Sequence, residues 1–185
     1  MARFAAIDVG SNAMRLRIVE AEKPRNDGPQ LELGITPTGW REIASTRAPV
    51  RLGSEVFLTG RLTHGSIGAA CGALKEFKTA MDDAQVDAYR AIATSAVREA
   101  SNAATLVERA RREAGIELEV IEGVEEARLI ELAVVGRLEL DKKTALLVDV
   151  GGGSTELTVL ERAHHTYSVS LPIGTVRLLE AYNSR

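Results

Sequence analysis

Two similar stretches decide the fold of this chain: "AAIDVGSNAMRL" at residues 5–16 and "LLVDVGGGSTEL" at residues 146–157. In each, an apolar run leads into Asp-Val-Gly and a turn of small residues, and a run of alternating apolar and polar residues follows. Apolar runs predict buried strands, and alternation predicts a strand with one wet face. The chain therefore repeats a unit of strand, aspartate turn and strand.

The segments after each unit predict a mixed α/β order. After the first unit we expect weak strands at 30–35 and 41–52, a helix from Thr63 to about Ala84, a strand at 88–94, a helix at 102–114, a strand at 117–121 and a helix at 124–138. The second unit begins with a buried strand at 144–149 and adds strands at 156–161 and 166–171 and a helix at 174–182. This pattern divides the chain into a first lobe, residues 1–138, and the beginning of a second, residues 139–185.

The composition is typical of a soluble globular protein, with 185 residues of which 45% are hydrophobic and 26% charged. A formal net charge of −3 is too small for non-specific binding to nucleic acid or acidic membranes, so we expect neither as a partner. The single cysteine, Cys71, lies on the apolar stripe of the helix after Thr63, so we expect it to be a core residue. With no membrane span or targeting segment in view, we expect a cytoplasmic protein.

The second aspartate turn has the composition of a phosphate-binding loop. Its three consecutive glycines lack Cβ atoms, so backbone N–H groups can approach an anion closely. A tight hairpin that merely needs glycine is the alternative, but two matched turns, each beside an aspartate, favour a phosphate site. The expected donors are Gly151, Gly152, Gly153, Ser154 and Thr155 in the second turn and Ser11 and Asn12 in the first.

Other phosphate loops and a hydrolase elbow are excluded by spacing. A Walker loop needs Gly-x4-Gly-Lys-Ser/Thr, and the dinucleotide fingerprint needs its third glycine where this chain has Glu156. No Gly-x-Ser-x-Gly occurs, so Ser154 is expected to be a hydrogen-bond donor and not a nucleophile.

The position seven residues after each aspartate carries opposite charges in the two copies. Asp8 is followed by Arg15, and Asp149 by Glu156. This arrangement predicts a cleft in which one wall holds phosphate and the other holds a metal or a water. Asp8, Asp149 and Glu156 are candidate Mg²⁺ ligands, acting mostly through water because Mg²⁺ takes few protein carboxylates. Aspartates that cap their own turns are the alternative.

Two further charged residues are candidates for the same cleft. Arg98 follows the strand at 88–94. Because ligands gather at the carboxyl ends of strands in α/β sheets, Arg98 is placed where a phosphate would bind. A solvated surface arginine is the alternative. Glu126 falls among the apolar positions of its helix, whereas Glu125 points to one side. An inward carboxylate has a raised pKa and suits a general base. Complementing the helix N-terminus is the alternative role for both glutamates.

Five ordered segments resemble the Ppx/GppA family of exopolyphosphatases and guanosine pentaphosphate phosphohydrolases. They are "AAIDVGSNAMRL", "AIATSAVREASN", "VIEGVEEARLI", "LLVDVGGGSTEL" and "LPIGTVRLLE". Members of that family are considerably longer and have two complete lobes of the actin, sugar-kinase and Hsp70 type. The resemblance therefore implies an RNase H-like lobe over residues 1–138 and an incomplete second lobe over 139–185, whose open sheet edge predicts a homodimer or other association.

The resemblance also implies a reaction, the Mg²⁺-assisted removal of a terminal phosphate from polyphosphate or guanosine pentaphosphate in a cleft between lobes. Glu126 resembles the general base that activates water, and Asp149 and Glu156 resemble the acidic residues that place metal and water. The phosphate-binding positions that match are Ser11, Asn12, Arg15, Arg98 and the turn from Gly151 to Thr155. An ATP-dependent phosphotransferase of the same superfamily and a phosphate-binding fragment without turnover are the alternatives.

Overall fold

The computed structural model describes residues 1–21, 40–135, 137–140 and 142–184, so the strand predicted at 30–35 lies outside the described residues. The first part of the chain forms strands β1 Ala2–Val9, β2 Met14–Ala21, β3 Trp40–Ala48, β4 Ala88–Ala93 and β5 Leu118–Val120, and helices α1 Leu52–Thr59, α2 His64–Asp83, α3 Ser95–Glu99, α4 Ala103–Ala114 and α5 Gly123–Val135. The remaining elements are β6 Thr144–Val150, β7 Thr155–Glu161, β8 His164–Leu171 and α6 Thr175–Asn183.

The first sheet has the strand order β3-β2-β1-β4-β5 in the part of the chain that the structure describes. β1 and β2 form an antiparallel hairpin in which Asp8 lies opposite Arg15. β4 pairs in parallel with β1, and β5 pairs in parallel with β4, so helices must return the chain between them. The carboxyl ends of β1, β4 and β5 therefore meet at one edge of a mixed sheet.

The core of this lobe lies between the first sheet and α2. The apolar stripe predicted on α2 is buried, with Cys71, Leu74 and Phe77 in the same cluster as Ile7 and Leu16 of the sheet. Burial raises the pKa of the Cys71 thiol, as expected of a core residue rather than a nucleophile. Among the described helices, none is both long and apolar enough to cross a bilayer.

The second sheet repeats the aspartate hairpin of the first. It has the order β6-β7-β8, with both pairs antiparallel. Asp149 of β6 lies opposite Glu156 of β7, just as Asp8 lies opposite Arg15 in the first sheet. The two copies recognised in the sequence are thus equivalent in strand pairing as well as in composition.

Two short helices are absent from the sequence prediction. The strand predicted at 41–52 ends at Ala48, and residues Leu52–Thr59 form α1, in which Leu52 and Val56 are buried one turn apart. Residues Ser95–Glu99 form α3 directly after β4. Helices of five to eight residues are too short for a periodic apolar pattern and form here because tertiary packing supports them.

The strand β6 was expected to be buried, and this expectation is wrong. Its side chains alternate in exposure, and Leu146, Val148 and Val150 are 61%, 55% and 58% exposed. An apolar run alone cannot distinguish a strand covered on both faces from one with an apolar face left open. Among the described strands, β6 pairs with β7 alone and so lies at the edge of its sheet.

Candidate active site

The two aspartate turns both line one pocket of about 290 Å³. Turns after β1 and β6, the end of β4 and the first turn of α5 all contribute to its wall, as expected for the carboxyl ends of strands. The side chains and backbone that line it belong to Asp8, Gly10, Ser11, Asn12, Ala13, Arg15, Thr94, Ser95, Glu126, Asp149, Val150, Gly151, Gly152, Gly153, Ser154 and Thr175.

The two turns pack against each other without room for an additional atom. Ser11 Oγ lies 3.4 Å from Ser95 Oγ, and the Gly53 N–H donates to the Ser11 carbonyl at 2.8 Å. A Cβ added to Gly153 would overlap Ser95 Oγ and approach Ser11 Oγ to 2.9 Å. Glycine at 153 is therefore required by the close approach of the second turn to Ser95 of α3 and Phe57 of α1, with Ser11 of the first turn next in distance.

Gly153→Ala is expected to push the glycine turn away from α1 and α3, because its methyl group would overlap Phe57 and Ser95. Overpacking of this kind costs about 1–3 kcal/mol. We expect a lower melting temperature and weaker calorimetric binding of tripolyphosphate. Gly72→Ala is the matched control, since a Cβ there meets nothing within 4 Å, and it should not lower stability. Unchanged stability and binding in Gly153→Ala would contradict this packing.

The glycine turn presents free backbone donors. The Gly151 N–H closes the turn by donating to the Ser154 carbonyl at 2.9 Å. Within the described residues, the N–H groups of Gly152, Gly153 and Ser154 donate to no backbone carbonyl. Successive free N–H groups of this kind form an anion-binding nest. The turn can therefore bind a phosphate through its backbone.

The first turn adds a cation to the pocket. Arg15 Nη1 lies 3.4 Å from Asp8 Oδ2 across the β1–β2 hairpin, and both side chains are partly exposed. The pKa of Asp8 is raised, mainly by burial. The charge of Arg15 opposes this increase, and the charge of Asp149 adds to it. Arg15 is thus held at the pocket by a weak ion pair that a phosphate could displace.

Glu126 has the most perturbed carboxylate of the pocket. Its side chain is 20% exposed, and its Oε2 atom is buried without a hydrogen-bond partner. Burial, and then the charge of Glu156, raise the pKa of Glu126 from 4.5 to about 7, while Arg98 at 3.6 Å lowers it. The upward shift expected from the sequence is confirmed.

The reason for that burial differs from the prediction. The apolar stripe of α5 is only half-buried at Leu129 and Ile130, and Gly123 and Ala127 are the buried residues of the helix. Glu126 is desolvated at the wall of the pocket, where α5 packs against β7 and β8, and the charges of nearby carboxylates raise its pKa further. The helical pattern predicted an inward-facing Glu126, but tertiary packing and not the helix stripe buries it.

Three predicted site residues lie outside the pocket lining. Glu156 is 2% exposed, accepts a hydrogen bond from Ser170 Oγ at 2.7 Å, and leaves its buried Oε2 without a partner. Arg98 donates to the Ile121 carbonyl at 2.8 Å and pairs with Glu126, in an adjoining cavity. The Thr155 hydroxyl donates to the Ile173 carbonyl. The structure therefore places Arg98 and Glu156 around the carboxylate of Glu126.

Three pocket residues that carry a hydroxyl group, Thr94, Ser95 and Thr175, were not among the site residues predicted from the sequence. Thr94 and Ser95 follow β4, and Thr175 begins α6. The position of Thr94 and Ser95 directly after a predicted strand, in "AIATSAVREASN", was an available signal because it matches that of the two aspartate turns. Thr175 had no such signal, since its place depends on the packing of α6 against the glycine turn.

The oxygen donors of the pocket fit a weakly held Mg²⁺. No group of three or more His, Cys, Asp or Glu side chains close enough to hold a metal occurs among the described residues. Asp8 and Asp149 nevertheless line the pocket, and Glu126 and Glu156 each carry a buried oxygen without a hydrogen-bond donor. Mg²⁺ typically takes one or two protein carboxylates with water and substrate phosphate, so this donor set suits it.

A mixed β3-β2-β1-β4-β5 sheet, followed by a second aspartate hairpin that lines the same pocket, matches an α/β, RNase H-like lobe. Residues 35–185 match the sequence model of the Ppx/GppA phosphatase family. The chain belongs to that family, as the resemblance of its five segments implied.

The curated relatives include two mycobacterial proteins named Exopolyphosphatase 1. The one from Mycobacterium leprae is 31% identical over 176 residues, which cover 95% of this chain and 48% of that protein. The one from Mycobacterium tuberculosis is also 31% identical over 176 residues, covering 95% and 47%. The chain thus spans about half the length of the curated relatives that it matches.

Solved structures of the family have the same fold. The Ppx/GppA family member from Aquifex aeolicus superimposes with a TM-score of 0.77 and 35% identity, over 98% of this chain and 54% of that one. An exopolyphosphatase from Cytophaga hutchinsonii superimposes with a TM-score of 0.83 and 29% identity, over 97% and 53%. Both sheets of this chain therefore have counterparts in proteins of the family.

Proposed function

We propose that the protein hydrolyses the terminal phosphoanhydride bond of inorganic polyphosphate, guanosine pentaphosphate or both, by direct attack of water. The observation that carries this proposal is the position of the Glu126 carboxylate, which lines a pocket together with the two aspartate turns and has a buried oxygen without a hydrogen bond; burial there raises its pKa to about 7. A carboxylate with that pKa accepts protons near neutral pH, as a general base must.

Substrate binding would use the two turns. The free N–H groups of Gly152, Gly153 and Ser154 would bind the oxygens of the terminal phosphate, with the polar groups of Ser11 and Asn12 opposite them. Donors that are already oriented offset the charge that develops in a phosphoryl transfer without reorganising at the moment of reaction. Arg15 would neutralise phosphate charge once it leaves Asp8.

The chemical step needs one proton acceptor and no covalent intermediate. Glu126 would take a proton from water as the water oxygen forms a bond to the terminal phosphorus, while the bond from that phosphorus to the bridging oxygen breaks. Arg98, 3.6 Å from Glu126, would hold the carboxylate in place, and Glu156 would keep its pKa high. The products are orthophosphate and a chain shortened by one phosphate.

We assign Asp8, Asp149 and Glu156 as the residues that would hold Mg²⁺, mostly through water. Bound there, Mg²⁺ supplies positive charge against the phosphate oxygens. Glu156 is buried behind the pocket and would act through water or by orienting Asp149, the residue opposite it in the hairpin. Comparing tripolyphosphate binding by calorimetry with and without Mg²⁺ tests this assignment.

The terminal phosphate does not distinguish the two candidate substrates. Polyphosphate and guanosine pentaphosphate present the same terminal phosphate to the turns, and the relatives named exopolyphosphatase favour polyphosphate. Parallel assays of phosphate release from the two compounds, each with and without Mg²⁺, test the proposed hydrolysis. We infer that the protein acts in the cytoplasm. Release from neither compound would contradict it.

Arg15→Ala is expected to weaken the binding of tripolyphosphate, and the loss should shrink as salt is raised. Charge-assisted contacts to phosphate are strong, and exposed charges are screened over about 8–10 Å at ordinary ionic strength. Titration calorimetry at low and high salt measures both effects. Arg17→Ala is the matched control, because Arg17 lies on the same strand and pairs with Glu42 outside the pocket. Equal affinity of Arg15→Ala and parent at low salt would refute the role.

A phosphate-binding module without turnover is the second candidate. It is favoured by the exposed apolar face of β6, since an uncovered sheet indicates that the second lobe needs further structure. Calorimetric binding of polyphosphate by this chain without phosphate release would support the module over the enzyme.

The same exposed face leads us to propose that the chain associates through residues 144–185. Leu146, Val148 and Val150 on the edge strand β6 would be covered by another copy, because open edges and apolar patches tend to pair. Size-exclusion chromatography with light scattering should give a dimer or larger species, and Val148→Asp should reduce it. A parent chain that is monomeric at all concentrations would contradict this association.

A further inference from the structure

The first turn of α6 is bound to the glycine turn. The N–H groups of Thr175 and Val176 donate to the carbonyls of Gly151 and Gly152 at 3.0 and 2.8 Å, and the Arg177 N–H also reaches the Gly152 carbonyl, at 3.1 Å. The first N–H groups of a helix usually lack partners and attract anions. Here the protein's own carbonyls use them, so this helix N-terminus serves the glycine turn rather than a ligand.

The side chain of Arg177 extends these contacts to the first lobe. Its Nε donates to the Gly153 carbonyl at 2.8 Å, its Nη2 pairs with Glu99 of α3, and its guanidinium lies over the ring of Phe57 of α1, 4.1 Å from the centroid. The side chain is 22% exposed. One residue therefore joins the glycine turn, α1 and α3.

These bonds orient every peptide of the turn. All three glycine carbonyls, those of Gly151, Gly152 and Gly153, are occupied by α6 residues, whereas the N–H groups of Gly152, Gly153 and Ser154 donate to no backbone carbonyl in the described part of the chain. An anion-binding nest needs this polarity, with N–H groups available to the ligand and carbonyls tied elsewhere.

The approach of α6 to the turn also depends on the residue that precedes it. A Cβ on Gly174 would overlap the Gly152 carbonyl, so no other residue fits at that position without displacing the turn. The segment Gly174–Arg177 belongs to "LPIGTVRLLE", the segment of the sequence to which the reaction described above gives no role.

We propose that the start of α6 presets the glycine turn for phosphate and that Arg177 is the positioning residue that locks it. The role in phosphate binding rests on the proposed function, but the lock itself does not. Arg177 acts through the Gly153 carbonyl and through Glu99, and it is absent from the pocket lining.

Hydrogen exchange without ligand tests the lock. In Arg177→Ala, the amides of Gly151, Thr175 and Val176 are expected to exchange about tenfold faster or more, because a charge-assisted contact is lost. The amides of Leu74 and Phe77 in the core helix α2 should not change. Arg112→Ala removes the same charge at an exposed site on α4 and is the matched control. Equal acceleration in turn and core, or none in the turn, would overturn the proposal.

Tripolyphosphate binding tests the consequence. Arg177→Ala should lose about tenfold in affinity, and added guanidinium should restore part of it, whereas Arg177→Lys should bind poorly because an ammonium lacks the planar fork. If Arg177→Ala does not fold, Glu99→Gln gives the same test with a smaller expected effect. Normal affinity in a variant with accelerated exchange would overturn the positioning role. Absence of tripolyphosphate binding by the parent chain would refute the proposed function. The hydrogen-exchange result would then still decide whether Arg177 holds the glycine turn in place.

Discussion

Replacing Glu126 with Gln is expected to lower the rate of phosphate release in the whole protein by about 10²- to 10⁴-fold, the usual contribution of a general base. Substrate affinity should stay within a few-fold, because the amide keeps the shape of the side chain. The reason is the position of Glu126, which lines the pocket with a pKa of about 7 and a buried, unpartnered oxygen. Steady-state phosphate release and calorimetry measure the two quantities separately.

Glu125→Gln is the matched control for that substitution. Glu125 lies next to Glu126 in the chain but forms ion pairs with Arg128 and Arg90, which hold its pKa at about 2. Its loss should have a much smaller effect on turnover. Unchanged turnover in Glu126→Gln, or equal losses in both variants, would remove Glu126 from the mechanism.

Glu126→Gln should also change the stability of the protein, and this effect does not depend on substrate. The unfolded chain loses the Glu126 proton near pH 4.5 and the folded chain near pH 7, so stability falls as pH rises between these values. Glutamine does not ionise, and Glu126→Gln should therefore be more stable than the parent above pH 7, by at most about 3 kcal/mol. Below about pH 4.5 the difference should vanish. Urea denaturation at pH 4 and pH 8 checks the sign.

The second large effect is a pair of opposite shifts in the pH dependence of turnover. The parent rate should rise with pH through about 7 as Glu126 ionises. Arg98→Ala removes the cation 3.6 Å from that carboxylate, which raises its pKa and moves the rising limb to higher pH. Glu156→Gln removes a negative charge, which lowers the pKa and moves the limb to lower pH.

A pH–rate profile of the three proteins measures these shifts. Arg90→Ala is the control for Arg98→Ala, because Arg90 pairs with Glu119 and Glu125 away from the pocket, and it should leave the limb in place. Shifts of the same sign in Arg98→Ala and Glu156→Gln would show that the electrostatic environment of Glu126 is not the one described.

Much of the site could be predicted from the sequence because its donors lie in local patterns. An aspartate, glycines and small polar residues after an apolar run specify a strand and its turn within about a dozen residues, so Ser11, Asn12 and the glycine turn were found without a structure. The apolar stripe of α2 follows from helical periodicity in the same way.

The remaining features depend on contacts between distant parts of the chain. Arg98 was assigned to phosphate from its place after a strand, and only packing of α3 near α5 puts it beside Glu126. The role of Arg177 requires α6 to meet the glycine turn, α1 and α3 together. The open face of β6 has the same apolar sequence that a covered strand would have.

The central step of the proposed function is the attack of water, activated by Glu126, on the phosphorus of the terminal phosphate. Its most direct test is hydrolysis of polyphosphate by the whole protein in ¹⁸O-labelled water, with the released orthophosphate analysed by mass spectrometry. We expect one labelled oxygen in each orthophosphate released from the chain end and a loss of release in Glu126→Gln. Phosphate transferred to an acceptor, tight binding without release, or release that persists in Glu126→Gln would contradict it.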